Sequence, residues 1–127
     1  MIDVVAALIE RDNLVLVARR PEGVHLAGLW EFPGGKVNVG ETQPAALERE
    51  LMEELGVAVD VGDAVFDTAH EYPDRTVRIF FYQCRISGIP RPLVGQELRW
   101  VEKGSLSALQ FPPADEELIR RLTAAED

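Results

Sequence analysis

Gly35-Lys36-Val37-Asn38-Val39-Gly40-Glu41-Thr42-Gln43-Pro44-Ala45-Ala46-Leu47-Glu48-Arg49-Glu50-Leu51-Met52-Glu53-Glu54-Leu55-Gly56-Val57 is a glycine loop running into a carboxylate-rich helix. Thr42 can cap the helix, Pro44 suits its first turn, and Gly56 stands where a left-handed stop is expected. These signals predict a helix from about residue 43 to about 55. At roughly 100° per residue, Glu50, Glu53 and Glu54 share one sector and Leu47, Leu51 and Leu55 form an adjacent apolar stripe. Like charges at i, i+4 destabilise a helix, and acids near its C-terminus oppose the dipole. A divalent cation would compensate, and hard oxygen ligands suit Mg2+ or Mn2+. The three acids taken alone leave a second reading open, an acidic face turned to solvent.

The other properties of the chain narrow the classes. At 127 residues it is expected to be one domain, residues 1–127, with 46% apolar residues as in globular proteins. A net charge of −9 argues against a protein that tracks a nucleic-acid backbone, so no stable nucleic-acid complex is expected. A small anionic substrate remains compatible if cations supply the positive charge. Cys84 is the only cysteine, which excludes an internal disulfide and suits a reducing cytoplasm; it reads as a small buried hydrophobe. The N-terminus has no basic region followed by a long apolar stretch, so neither export nor membrane insertion is expected.

In chain order, residues 4–9 and 14–17 read as strands joined by a polar turn, and residues 30–32 as a short strand. Pro33-Gly34-Gly35 reads as a tight turn. Residues 57–61 and 65–69 suggest two stretches of strand, residues 76–86 the longest strand, and residues 98–101 a short one. Residues 85–93 are expected as a loop and 104–110 as a connector. Residues 114–124 are expected as a terminal helix burying Leu118, Ile119 and Leu122. His25 reads as a loop packing residue and His70 as a surface or packing residue. Helices and strands alternate without a regular βαβ rhythm, so the class is α+β, a mixed-sheet sandwich with helices outside.

Gly35, five residues, Glu41, seven residues, then Arg49 to Val57 matches the Nudix box at every fixed position. Arg19-Arg20, His25, Glu31-Phe32-Pro33-Gly34-Gly35-Lys36, Tyr72-Pro73-Asp74-Arg75 and Phe111-Pro112-Pro113-Ala114 extend the likeness along nearly the whole chain. The chain therefore resembles the Nudix hydrolases, and within them the MutT branch. The resemblance implies an α/β/α sandwich on a mixed sheet. It also implies Mg2+-dependent attack of water on an inner phosphorus of a nucleoside triphosphate, giving a nucleoside monophosphate and pyrophosphate. In that reading Glu50, Glu53 and Glu54, with the Gly35 carbonyl, hold the cations. Glu50 or Glu53 takes the proton, and Arg49 pairs with Glu41 to aim the acids. The candidate substrate contacts are Arg20, whose donor fork suits phosphate, together with Glu31, Arg75 and Asp115.

Two departures from the branch stand out. Where a further metal-binding or base-like Glu often precedes Gly95-Gln96, this chain has Val94; Glu97 and Glu31 are the candidates to replace it. After Phe-Pro-Pro-Ala, a MutT enzyme selective for oxidised guanine carries Asn, whereas this chain carries Asp115. An amide donates and accepts, but an ionised carboxylate only accepts. It could accept from guanine N–H groups or from the cytosine amino group, or it could cap the terminal helix. An 8-oxo-dGTP hydrolase is thus one reading of the substrate. An ADP-ribose or nucleotide-sugar pyrophosphatase is the alternative within the same chemistry. A ligand sensor without catalysis is the alternative of another class, and an RNA 5′-end pyrophosphohydrolase is disfavoured by the missing basic surface. The sequence leaves metal number, oligomeric state and sugar preference open.

Overall fold

Ile2–Arg11 forms β1, the central strand of the sheet. In this computed structural model, residues 1–24 and 27–124 are described; the expectation for His25 lies outside them. A two-residue turn at Asp12 and Asn13, both left-handed (φ 52° and 67°), returns the chain as β2, Leu14–Arg19. Asp and Asn tolerate that conformation, which matches the twist of a tight hairpin. The short β3, Trp30–Glu31, and the later β7, Glu97–Glu102, flank β2 as antiparallel neighbours.

The other side of β1 runs parallel to β6, Arg75–Ser87, which pairs antiparallel with β5, Ala58–Tyr72. One parallel pair among antiparallel ones makes the sheet mixed, as expected. Residues alternate across β1: Val5, Ala7 and Ile9 enter one core, and Ala6 and Leu8 the other. Helix α1, Gln43–Leu55, covers the first face with Leu47, Leu51 and Leu55, all fully buried. Helix α2, Glu116–Ala124, covers the second with Leu118 and Ile119, and Leu122 is partly buried. The result is the expected helix–sheet–helix sandwich.

Four local expectations are corrected. Residues 33–35 are not simply a turn, because Gly34–Lys36 form β4, antiparallel to Val4–Ala6 of β1. A Cβ on Gly34 would lie 2.0 Å from the Val5 carbonyl oxygen, so the pairing needs glycine there. The two stretches read at 57–61 and 65–69 are one strand, β5, interrupted by register shifts between Val61 and Phe66. The connector contains a 3-10 turn, Lys103–Ala108, and the terminal helix begins at Glu116 after a 3-10 turn at Pro113–Asp115. His70, expected at the surface or in packing, does pack: it lies inside β5 opposite Val77, its ring edge-on to Tyr72 at 4.7 Å.

Cys84 is buried under α1, and burial pushes its thiol up to about 12, which leaves it unreactive at neutral pH. No helix among the described residues is long and apolar enough to cross a membrane.

Leu51→Ala should cost about 2–5 kcal/mol of folding stability, read as a lower midpoint in urea. The neighbouring Met52, which is 51% exposed, should cost less than about 0.5 kcal/mol on replacement by Ala.

Candidate active site

The N-terminus of α1 is fixed by Thr42, whose Oγ1 accepts from the Ala45 N–H at 3.2 Å. Its C-terminus ends at Gly56, left-handed at φ 67°. Between these stops Arg49 gathers the preceding loop. Its Nε and NH2 donate to the two oxygens of Glu41 at 2.7 and 2.9 Å, and NH2 also donates to the Lys36 carbonyl at 3.0 Å. Glu41 in turn accepts from the Asn38 N–H at 3.0 Å. The Arg49 hydrogen bonds, reinforced by that backbone N–H, hold the Glu41 carboxyl down at about 2. The remaining nitrogen, NH1, reaches Glu50 at 2.9 Å and, more loosely, Glu53 at 3.5 Å.

Glu50 lies against Gly35: a Cβ there would stand 2.4 Å from the Glu50 carboxyl carbon. Glu54 is deeper. Its Oε2 is buried with no hydrogen-bond partner. Burial foremost, then the charges of Glu50 and Glu31, push this carboxyl up to about 8. Among the described residues no three His, Cys, Asp or Glu side chains form a ready-made metal cage. Arg49 draws Glu50 and Glu53 to itself, and Arg20 draws Glu31. The donor set still fits Mg2+ or Mn2+, which bind through one or two carboxylates and keep waters and phosphate oxygens for the rest. The orphaned Glu54 oxygen beside Glu50 is the observation that favours such an ion.

Residues 91–96 close over the end of α1. The Glu54 carbonyl accepts from Leu93 N–H at 3.1 Å and from the Gln96 side chain at 3.0 Å, and Gln96 Oε1 accepts from Val94 N–H at 3.0 Å. Val94 is exposed, and Glu97 sits at the start of β7 between Arg19 (3.8 Å) and Arg99 (3.0 Å). Glu97 therefore touches cations of the sheet edge, whereas Glu31 lies within electrostatic reach of Glu54.

A cleft of about 250 Å3 opens between β1, β4 and β6. Val77, Ile79 and Phe81 give it an apolar wall, and its polar lining includes Arg20, Glu31, Tyr72, Arg75 and Asp115. Arg20 donates to Glu31 at 2.8 Å. Desolvation raises the Glu31 pKa even against that partner. Asp115 is 6% exposed, and no capping bond of its side chain to α2 is present among the described residues. Burial, with Glu31 adding to it, pushes Asp115 up to about 7. The candidate residues thus fall into two adjoining groups, Gly35, Glu41, Arg49, Glu50, Glu53 and Glu54 on the box and Arg20, Glu31, Arg75 and Asp115 around the cleft. Sequence reasoning missed Gln96, whose signal is a buried amide after Gly95, and the Lys36 carbonyl, which carries no side-chain signal.

Three kinds of comparison agree with this geometry. A family profile described as NUDIX domain matches residues 4–121. The chain is 41% identical over 124 residues to an 8-oxo-dGTP diphosphatase of Haemophilus influenzae, covering 96% of this chain and 91% of that protein. It is 42% identical over 127 residues to a CTP pyrophosphohydrolase of Escherichia coli, covering 98% and 93%. Its fold superposes on the solution structure of the E. coli ORF135 protein with a TM-score of 0.88 at 38% identity, over 99% of this chain and 91% of that one.

Because the folded pKa of Glu54 is raised, the folded state holds more protons than the unfolded state between about 4.5 and 8, and stability falls as pH rises through that window. Glu54→Gln should remove this loss and raise metal-free stability at about pH 8 by at least about 1 kcal/mol. Mn2+ or Mg2+ should raise Tm at that pH in the parent protein and far less in the variant. Equal cation responses in thermal denaturation would count against Glu54 as a ligand.

Proposed function

The chain belongs to the Nudix family and is a hydrolase of its MutT-like kind, and we propose on that premise that it is a Mg2+-dependent nucleoside triphosphate pyrophosphohydrolase. Water attacks an inner phosphorus, and a nucleoside monophosphate and pyrophosphate leave. The observation that carries this reading is the buried, partnerless Glu54 oxygen beside Glu50 on a helix whose acids Arg49 aims. Nudix hydrolases generally require a divalent metal. Mg2+ is the ion proposed, with Mn2+ able to replace it, held by Glu50, Glu54, Glu53 and the Gly35 carbonyl.

When bound, such an ion neutralises phosphate oxygens and acidifies a ligated water. The protein's own groups do the rest. Arg49 and Glu41 are positioning residues: their bidentate pair locks the Gly35–Glu41 loop against α1. Glu50, pinned between Arg49 and Gly35, cannot swing far. Glu53 is 59% exposed and only loosely held, so it is the carboxylate free to accept a proton from the attacking water. Arg20 offers its fork to phosphate, trading its contact with Glu31, and Arg75 brings a second cation to the cleft mouth.

The base enters the cleft between the apolar wall and the Glu31–Asp115 pair. Relatives of nearly equal identity are named for 8-oxo-dGTP and for CTP, and Asp115 is proposed as the residue that reads the base in either case. Removal of damaged or unwanted nucleotides in the cytoplasm accords with the lone buried Cys84 and the acidic chain.

A panel of normal and oxidised nucleoside triphosphates, with ADP-ribose and a nucleotide sugar included, should show pyrophosphate release from triphosphates above all. No turnover of any of them with Mg2+ or Mn2+ would sink the proposal, and preference for ADP-ribose would move the activity within the family. Glu53→Gln should lower kcat/KM by about 100-fold or more with the fold intact by circular dichroism.

A further inference from the structure

The last turn of α1 is held from outside the helix. A helix leaves its final carbonyls without partners, and here the later strap of residues 91–96 supplies them: Arg91 N–H donates to the Leu55 carbonyl at 2.9 Å and Leu93 N–H to the Glu54 carbonyl at 3.1 Å. Gln96 adds its Nε2 donor to the same Glu54 carbonyl at 3.0 Å, while its Oε1 accepts from the Val94 N–H at 3.0 Å. Both ends of the amide are thus committed, and turning it over would set oxygen against oxygen. Gly56 permits the close fit, since a Cβ there would stand 2.6 Å from an Arg91 guanidinium nitrogen and 3.1 Å from Leu93.

Gln96 is 7% exposed and shares with Asp115 the distinction of being a buried polar residue among the described ones. A buried amide bonded at both ends specifies one geometry more than it adds net stability. That geometry matters one side chain away. Glu54 stands next to the helix end, where last turns fray, its Oε2 is buried without a partner, and Glu50 and Glu31 repel it. The last turn of α1 carries no basic residue to oppose this. Unwinding that turn would carry the carboxyl out to water, and the clamp on the Glu54 carbonyl blocks the escape.

Resting on the metal-dependent reading above, we propose that Gln96 is a positioning residue that sets divalent-cation affinity: by clamping the Glu54 carbonyl it keeps the Glu54 carboxyl beside Glu50 before any ion arrives. A site formed for only a fraction of the time binds more weakly by that fraction. Gln96 does not line the nucleotide cleft, so its effect falls on the cation and not on the nucleotide.

The test is Mn2+ titration of the nucleotide-free protein, followed by the electron paramagnetic resonance signal of the free ion. Gln96→Met keeps the length of the side chain and removes both hydrogen bonds, and its Mn2+ Kd should rise about tenfold. Leu106→Ala, which truncates a fully buried residue of the other core, should stay within about twofold of the parent protein. Amide exchange at Gly56, whose N–H donates to the Met52 carbonyl, should quicken in Gln96→Met. In turnover the Mn2+ concentration giving half the maximal rate should rise with the Kd, while kcat and the nucleotide KM recover at saturating Mn2+. Gln96→Asn, one methylene too short to hold both partners, should weaken Mn2+ binding as well. An unchanged Kd in both Gln96 variants, an equal loss in Leu106→Ala, a rise in nucleotide KM in place of the Mn2+ requirement, or failure of both Gln96 variants to fold by circular dichroism overturns the inference, as does a parent protein that binds no Mn2+. A Gln96-sensitive Kd without pyrophosphate release would overturn hydrolysis and leave the clamp standing; release with an insensitive Kd would do the reverse.

Discussion

The Arg49 guanidinium is the contact on which the candidate site depends. Its five donors are divided among Glu41, Glu50, Glu53 and the Lys36 carbonyl. A planar fork can satisfy a carboxylate edge and still aim a third nitrogen elsewhere, which lysine cannot do. The loop of residues 35–41 and the acidic face of α1 are joined by this one side chain. Gly35 completes the joint, since the Glu50 carboxyl occupies the space a Cβ would need.

The cost of the arrangement is concentrated at Glu54 and Asp115. Each is a carboxyl withdrawn from water without a full set of partners, and each holds its proton to higher pH than a free acid. A fold shaped only for stability would place apolar groups at both positions. The sandwich offsets the cost through its two cores, with α1 and α2 gripping opposite faces of β1. Glu54 and Asp115 are therefore the two carboxyls of the candidate site whose negative charge the fold accommodates least.

Much of this was legible in the chain. Thr42, Pro44 and Gly56 bounded α1 correctly because capping is local chemistry, and the leucine stripe named its buried face. The first hairpin followed from a polar turn between two apolar runs, and the left-handed backbone of Asp12 and Asn13 that makes it tight came from the structure. β4 was not legible, because Gly34 and Gly35 look like turn residues until β1 is seen beside them. The continuity of β5 was hidden by Gly62, Asp63 and Ala64, which read as a break but form an irregularity in a paired strand. Glu97, adjacent in sequence to the loop that covers α1, is turned by the register of β2 and β7 toward Arg19 and Arg99.

The sequence by itself determined the acidic helix, its apolar face, the Arg49 and Glu41 spacing and the Nudix resemblance, all of which depend on residues within one loop and one helix. Only the tertiary structure decided that Asp115 faces the cleft without capping α2, that Glu31 stands near both Glu54 and Asp115, and that Gln96 secures the end of α1. Those relations join residues up to 84 positions apart, from Glu31 to Asp115. Their chemistry comes from burial and from charges brought close by the sheet, quantities that exist only once the strands have paired.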